Sequence, residues 1–189
     1  MGQYLTLRSA IAFARRAHAG QRRLDGRAFL SHPLAVLQIL RTAGEDLPRD
    51  ACIAGLLHDT VEDGQARLED VRTEFGDDVA LAVDALTRAE KPRKIDARAH
   101  EEIYLQRMIA VNTQLPYVLL VKMADRLHNL ETAQFLQPQK RLHLYEQTVE
   151  LYLPAFLRET ARQELYPEAY DMLNTLLQRS IGNMRMMTR

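Results

Sequence analysis

The feature that most constrains the fold of this chain is a helical repeat in its apolar residues. In the stretch 4–19, for example, Leu7, Ile11 and Ala14 follow one another at the spacing of an α-helix. No stretch of useful length alternates between apolar and polar residues, so a β-sheet is not predicted. The sequence therefore predicts an all-α fold, a compact bundle of nine or so helices.

Prolines and glycines mark where the predicted helices begin and end, because proline suits a first helical turn and glycine commonly follows the last one. The length of 189 residues suits a single domain, and we expect its core over 4–181 and a frayed tail over 182–189. The predicted helices are 4–19, 33–42, one from Pro48 that carries His58 and Asp59 near its end, 68–75, 77–88, 96–112, one from Pro116, 138–156 and 167–181.

The charge of the chain limits the partners that it can hold. Lysine plus arginine and aspartate plus glutamate both number 25, so the formal net charge is zero. Without a positive field we expect no nucleic-acid or membrane partner, and no apolar run approaches the ~20 residues that span a bilayer. The single cysteine excludes an intrachain disulfide framework, and no signal peptide is visible, so we expect a cytoplasmic protein.

Four ionisable residues follow strongly apolar helical segments. They are His32 in LSHP, the pair His58 and Asp59 in AGLLHDTVEDG, and Asp125 in LLVKMADRLHN. Each alone has an ordinary explanation, such as a helix cap, a solvated helix end or an ion pair. Together, in apolar surroundings, the carboxylates would be costly to bury unless a cation binds them. Two imidazoles and two carboxylates suit a divalent ion such as Mn²⁺, Fe²⁺, Zn²⁺ or Mg²⁺.

A second pair of carboxylates, Glu62 and Asp63, lies four positions beyond His58 and Asp59. If the helical turn continues, each of them falls near the face of its partner. They are not needed as metal ligands. We predict that they orient or deprotonate a water beside the ion, as general acid–base groups.

Longer strings around these residues resemble a known family. The order H…HD…D is the mark of the HD phosphohydrolase superfamily. The strings HAGQRRLDGRAFLSHP, LLHDTVEDG, EFGDDVA with DALT, and VKMADRLHNLET are similar to the hydrolase domain of RelA/SpoT homologues. The resemblance covers about 4–157 and implies the HD fold and degradation of the alarmones (p)ppGpp. No synthetase segment follows in the sequence, so we expect a stand-alone small alarmone hydrolase.

The resemblance also implies the roles of individual residues. It implies removal of pyrophosphate from the 3′ position of a purine nucleotide, with Glu62 and Asp63 as the catalytic acidic pair. It implies Mn²⁺ as the cofactor, with other divalent ions able to replace it. The implied metal ligands are His32, His58, Asp59 and Asp125, and the implied substrate contacts are Arg23, which packs on the nucleobase, Asn129, Thr132 and Lys140.

The chain departs from the family pattern in the loop that follows Arg23. Family members usually have a lysine there and then SGEPY, whereas this chain has LDGRAF. A cation near the substrate is missing at Leu24, and Arg27 places a cation where a carboxylate is usual. The metal chemistry is untouched, but the choice between guanine and adenine stays open.

Several alternatives therefore stay open. The substrate could be an adenine alarmone or another ribose-phosphorylated nucleotide such as NADPH. The chain could instead be another HD nucleotidase or a cyclic-nucleotide phosphodiesterase, which HDTVEDG and ADRLHN argue against. It could also be a degenerate HD module that binds nucleotide without turnover, although such a module would have lost a ligand or an acidic residue, and all are present. Surface helices could form a homodimer.

Overall fold

The fold consists of α-helices that pack around one central helix. The computed structural model of the protein describes residues 6–90 and 92–187, and no strand occurs among them, which confirms the predicted all-α class. The α-helices are α1 (Leu7–Ala17), α2 (Ser31–Ala43), α3 (Arg49–Leu57), α4 (Leu68–Phe75), α5 (Asp77–Leu86), α6 (Ala97–Asn112), α7 (Val118–Glu131), α8 (Pro138–Gln147), α9 (Leu153–Thr160) and α10 (Pro167–Met187).

The central helix is α7, and it is buried on every side over most of its length. Its apolar side chains at 118–121, 123–124 and 127 are almost inaccessible to solvent. A helix that is apolar all round is expected at the centre of a bundle. It packs against α2, α3, α5, α6 and α10. A charged residue on α7 therefore enters the core and needs compensation from another element.

The core consists of two apolar clusters with α2 and α3 between them. One cluster surrounds α7 and includes Leu119, Tyr152 and Tyr170, and the other lies among α1, α3, α4 and α5 around Phe13 and Leu56. Helices α2 and α3 contribute side chains to both clusters. The beginning of α2 carries His32 and the end of α3 is followed by His58, and both histidines are buried.

A glycine allows α2 and α3 to pack closely. A Cβ atom added at Gly55 would lie 2.7 Å from Leu40 Cδ1 and 3.5 Å from Val36 Cγ1, both on α2. Any larger residue at this position must push the two helices apart or force Leu40 into another rotamer. Gly55 also lies one turn before His58, so this close approach determines how near His58 lies to the beginning of α2.

Helix α3 ends just before the histidine–aspartate pair, whereas the sequence predicted the pair within the helix. His58 is the C-cap residue of α3, and the Thr60 hydroxyl donates to the Leu57 carbonyl at 2.7 Å. The Asp63 amide donates to the Asp59 carbonyl at 2.9 Å. One helical turn therefore continues past the end of α3, and this turn carries the pair together with the second carboxylates.

The C-terminal part also differs from the expected structure. A single helix was predicted over 138–156, but one turn of π-helix, Thr148–Tyr152, separates α8 from α9. The sequence predicted a frayed tail over 182–189, but α10 continues to Met187. Met184 is buried in the cluster around α7. Residues 188 and 189, like residues 4 and 5 of the first predicted helix, lie outside the described residues. In the described ranges, no helix has both the length and the apolar character needed to cross a bilayer.

The close approach at Gly55 leads to a stability prediction. Gly55→Val should lower the free energy of unfolding by about 1–3 kcal/mol, because the added isopropyl group overpacks the contact with Leu40. Chemical denaturation of the metal-free protein measures this change. Gly182→Val is the matched control, since nothing lies within 4 Å of a Cβ atom at Gly182. An equal loss in both variants would contradict the packing role of Gly55.

Candidate active site

Four side-chain donor atoms converge where α2, α3 and α7 meet. His32 Nε2 lies 3.3 Å from Asp59 Oδ2, 3.2 Å from Asp125 Oδ1 and 3.2 Å from His58 Nε2. His58 Nε2 lies 3.2 Å from Asp59 Oδ2 and 3.7 Å from Asp125 Oδ1. His32 stands at the beginning of α2, His58 and Asp59 follow α3, and Asp125 lies within α7. The structure thus brings together all four residues that the sequence suggested as metal ligands.

The chemistry of this set fits a divalent cation. His58 Nδ1 donates to the Gly55 carbonyl at 2.9 Å, which leaves a lone pair on Nε2 that faces the other donors. Metal–ligand bonds of about 2.1 Å place neighbouring donor atoms about 3 Å apart, close to the separations found here. His32, His58 and Asp59 each offer one donor atom within 4.8 Å of the others. This cluster can therefore hold a metal ion.

The electrostatics of the set also favour a positive charge at its centre. Burial by itself would lower the pKa of His58, but Asp59 and Asp125 outweigh burial and raise the pKa to about 10. Burial would raise the pKa of Asp125, but Lys122 and the two histidines hold it well below its usual range. The carboxylates therefore stay ionised, and either protons on the imidazoles or a bound cation must balance them.

Residues one helical turn from Asp125 hold the candidate ligands in place. Lys122 Nζ donates to Asp125 Oδ2 at 2.9 Å, and Asn129 Nδ2 donates to Asp125 Oδ1 at 2.7 Å. His128 Nδ1 lies 2.7 Å from His32 Nδ1, so one ring donates to the other. When His32 Nε2 binds a cation, His32 carries its proton on Nδ1 and donates a hydrogen bond to Nδ1 of His128.

Lys122 and His128 were not singled out from the sequence. The signal that could have found them is their spacing, because they lie three residues before and three residues after Asp125 on one helix. Burial, together with His32 and Arg23, lowers the pKa of His128 to about 4, so His128 is neutral at physiological pH.

The second carboxylate pair, Glu62 and Asp63, lies beside the four candidate metal ligands. Glu62 Oε2 accepts a hydrogen bond from the Arg88 backbone amide at 2.6 Å, and the Asp63 carbonyl accepts one from Gln21 Nε2 at 2.6 Å. Glu62 and Asp63 line the same cavity of about 300 Å³ as His32, Asp59 and Asp125. Burial raises the pKa of Glu62, and burial together with Asp59 raises the pKa of Asp63. Both groups are therefore stronger bases than ordinary carboxylates.

A larger cavity of about 710 Å³ adjoins the metal cavity. The two cavities share Arg23, Phe29, Asn129 and Leu144 in their linings. All the residues implied as substrate contacts line the larger one, namely Arg23, Asn129, Thr132 and Lys140. A nucleotide could therefore place its base in the larger cavity and a phosphate at the metal cluster.

Some of these polar groups already have partners. The Thr132 hydroxyl donates to the His128 carbonyl at 2.8 Å and accepts from Arg23 Nη2 at 3.1 Å. The Thr132 hydroxyl proton is thus used in the hydrogen bond to His128, so another group must donate a hydrogen bond to the edge of the base. Arg27, the cation at an unusual position, forms an ion pair with Asp25 at 2.6 Å. Leu24 is 71% exposed and lines the larger cavity.

Comparisons with known proteins identify the family. A family model described as HD domain matches residues 10–158, so the chain belongs to the HD-domain family, as the sequence predicted. The chain is 38% identical over 179 residues to the GTP pyrophosphokinase of Streptomyces coelicolor, a match that covers 89% of this chain and 21% of that protein. It is 33% identical over 196 residues to the bifunctional (p)ppGpp synthase/hydrolase SpoT of Escherichia coli K12, covering 98% of this chain and 28% of that protein.

A solved structure supports the fold. The structure described as a metazoan ortholog of SpoT that hydrolyzes ppGpp has a TM-score of 0.65 and covers 98% of this chain and 97% of its own. Its sequence identity is 21%, so this likeness concerns the fold alone. Against the curated relatives above, the chain spans 21% and 28% of their length.

The metal cluster leads to a binding prediction. Asp59→Ala should lose its divalent ion while staying folded, because one of the two carboxylates that balance the cation is removed. We expect the affinity to fall by more than about 100-fold, beyond the cost typical of a residue that only supports a ligand. Elemental analysis and calorimetric titration with Mn²⁺ measure the loss. Asp77→Ala removes an exposed carboxylate as the control, and stoichiometric metal in Asp59→Ala would refute the ligand assignment.

Proposed function

We propose that the protein hydrolyses the 3′-pyrophosphate of guanosine alarmones, converting (p)ppGpp to GDP or GTP and pyrophosphate. The observation that carries this proposal is the cluster of His32, His58, Asp59 and Asp125. Three of its members, His32, Asp59 and Asp125, line one cavity with Glu62 and Asp63, and this cavity adjoins a nucleotide-sized cleft. Relatives are named both synthases and 3′-pyrophosphohydrolases. The hydrolase activity is the one assigned here, because the HD domain carries this cluster.

We propose Mn²⁺ as the cofactor, held by the same four ligands. Two nitrogen and two carboxylate donors suit Mn²⁺ and also Fe²⁺, Zn²⁺ or Mg²⁺. A divalent ion in this position supplies Lewis acidity, which lowers the pKa of water and polarises a phosphoryl oxygen. Lys122 and Asn129 keep the carboxylate of Asp125 directed at the ion, and His128 keeps the ring of His32 in the ligating tautomer.

In the proposed reaction, water attacks the phosphorus that is bonded to the 3′ oxygen of the nucleotide. Glu62 accepts the proton of the water, and Asp63 helps to orient the water within the cavity. The bond between this phosphorus and the 3′ oxygen breaks, pyrophosphate leaves, and a proton returns to the 3′ oxygen. Arg88, Lys122 and Arg126 line the cavity and offset the negative charge of the pyrophosphate.

The planar guanidinium of Arg23 is proposed to stack on the purine, and Asn129, Thr132 and Lys140 are proposed to contact the rest of the nucleotide. Stacking supplies affinity but does not distinguish guanine from adenine. Because the Thr132 proton is committed and Leu24 replaces the usual lysine, an adenine alarmone or another ribose-phosphorylated nucleotide such as NADPH is the second candidate. Placement in the cytoplasm and a homodimer stay predictions.

A hydrolysis screen tests this function. The protein, supplied with Mn²⁺, should release pyrophosphate from guanine 3′-pyrophosphates, with adenine 3′-pyrophosphates, NADPH and ordinary nucleotides as comparison substrates and product identity as the measurement. Turnover of ordinary nucleoside phosphates without cleavage of either 3′-pyrophosphate would instead indicate a nucleotidase.

The acidic pair is tested separately from the metal. Glu62→Gln and Asp63→Asn should keep metal and substrate binding but lower kcat by about 10²-fold or more, because they remove general acid–base catalysis. Steady-state kinetics and metal analysis of each variant measure the two effects. Wild-type kcat in both variants would show that the pair is merely a solvated turn.

A further inference from the structure

The carboxylate of Glu62 is held mainly by a backbone amide and only weakly by a side chain. The Arg88 backbone amide donates to Glu62 Oε2 at 2.6 Å, whereas Arg88 Nη1 lies 3.4 Å from Glu62 Oε1. A tight arginine–carboxylate pair has separations of about 2.8 Å. The guanidinium is therefore close to the proposed base without being fully paired with it.

A second carboxylate accounts for the position of this guanidinium. Arg88 Nη2 donates to Glu101 Oε1 at 3.2 Å, and the guanidinium lies 5.1 Å from the centre of the Tyr104 ring. Glu101 stands in the first turns of α6 and is 6% exposed. Arg88 is thus shared between two carboxylates. Glu62 lines the cavity of about 300 Å³, and Glu101 is not part of its lining.

The position of Glu101 is itself well determined. The Tyr152 hydroxyl donates a short hydrogen bond to Glu101 Oε1, and Arg126 Nη2 lies 3.9 Å from the same oxygen. Arg126 has other partners, because its Nη1 donates to Gln147 at 2.9 Å. Glu101 therefore contributes little to the pairing of Arg126. The closest contacts of Glu101 are with Arg88 and Tyr152.

We propose that Glu101 is a positioning residue that holds the Arg88 guanidinium away from Glu62, so that Glu62 stays free to accept the proton of the attacking water. This inference rests on the proposed function, in which Glu62 is the base. Without the charge of Glu101, Arg88 would turn its whole guanidinium to Glu62. The closed ion pair would stabilise the ionised form of Glu62 and make it a weaker base.

The first test is the neutral substitution Glu101→Gln. It should lower kcat by about 10-fold, part of the about 10²–10⁴-fold that general acid–base catalysis supplies, and leave the metal content unchanged. Glu102→Gln is the matched control, because Glu102 is the next residue and, among the described residues, forms an ion pair only with the exposed Arg98. Unchanged kcat in Glu101→Gln, or an equal fall in Glu102→Gln, would overturn the proposal.

A double-mutant cycle separates this role from general support of the fold. In an Arg88→Met background, Glu101→Gln should cause no further fall in kcat, because the residue through which Glu101 acts is gone. A fall of the same factor in both backgrounds would overturn the proposal. If Glu101→Gln does not fold, Tyr152→Phe serves in the same cycle. It removes the hydroxyl that fixes Glu101, and it should lower kcat less, again only when Arg88 is present.

A crystallographic measurement distinguishes failure of this inference from failure of the proposed function. In Glu101→Gln, the separation between Arg88 Nη1 and Glu62 Oε1 should shorten from 3.4 Å to about 2.8 Å, whatever the substrate is. An unchanged separation would overturn the role of Glu101. A wild-type protein that cleaves no purine 3′-pyrophosphate would overturn the proposed function, while the measured separation would still decide whether Glu101 positions Arg88.

Discussion

Two carboxylates buried beside two imidazoles are the constraint on which the rest of this structure depends. Asp125 projects from a helix that is buried on every side over most of its length, and Asp59 lies in the turn after α3. An uncompensated carboxylate in such a place would cost several kcal/mol. The protein offsets this cost with Lys122 on one side of Asp125 and with a central position that can accept a cation. The close packing of α2 on α3 at Gly55 keeps the imidazoles within reach of both carboxylates.

Around this centre, further charges are arranged in pairs that decide which groups can react. Lys122 binds Asp125, and Arg88 connects Glu62 to Glu101. The attraction between buried charges of opposite sign offsets their desolvation cost. The same attraction makes a carboxylate a weaker base, because it stabilises the ionised form. Because Arg88 is shared between two carboxylates, Glu62 receives less of its charge than a closed pair would give. The same network therefore stabilises the buried charges and, in the proposed mechanism, leaves Glu62 available for proton transfer.

The cleft beside the centre shows a different balance between polar and apolar groups. Its polar side chains are partly engaged with each other, as in the hydrogen bond from Arg23 to Thr132, and exposed apolar residues such as Leu24 and Phe135 line it. A site of this kind binds a planar base through stacking and apolar contact more than through directed hydrogen bonds. In the proposed complex, the strict geometry lies at the phosphate end, where the candidate metal ligands form hydrogen bonds with Lys122, Asn129 and His128.

Local patterns in the sequence determined the helical class, most helix positions and the identity of the four candidate ligands. The helical repeat and the prolines act within a few residues, and an apolar run that ends in His58 and Asp59 is visible without any tertiary information. The continuation of α10 to Met187 was missed, because the packing of Met184 against the cluster around α7 is a tertiary contact that the local sequence pattern does not show. Neighbouring positions on α7 could have pointed to Lys122 and His128.

Only the tertiary structure decided how the remaining groups pair. Glu62 and Arg88 are separated by 26 residues in the chain, and Tyr152 and Glu101 by 51. The sequence shows that each is polar or aromatic, but not which of them meet. Their meeting depends on how α5, α6 and the π-helical turn pack around α7. The spacing of apolar residues in the sequence indicates which face of a helix is buried. Which other element covers that face depends on the packing of the whole core.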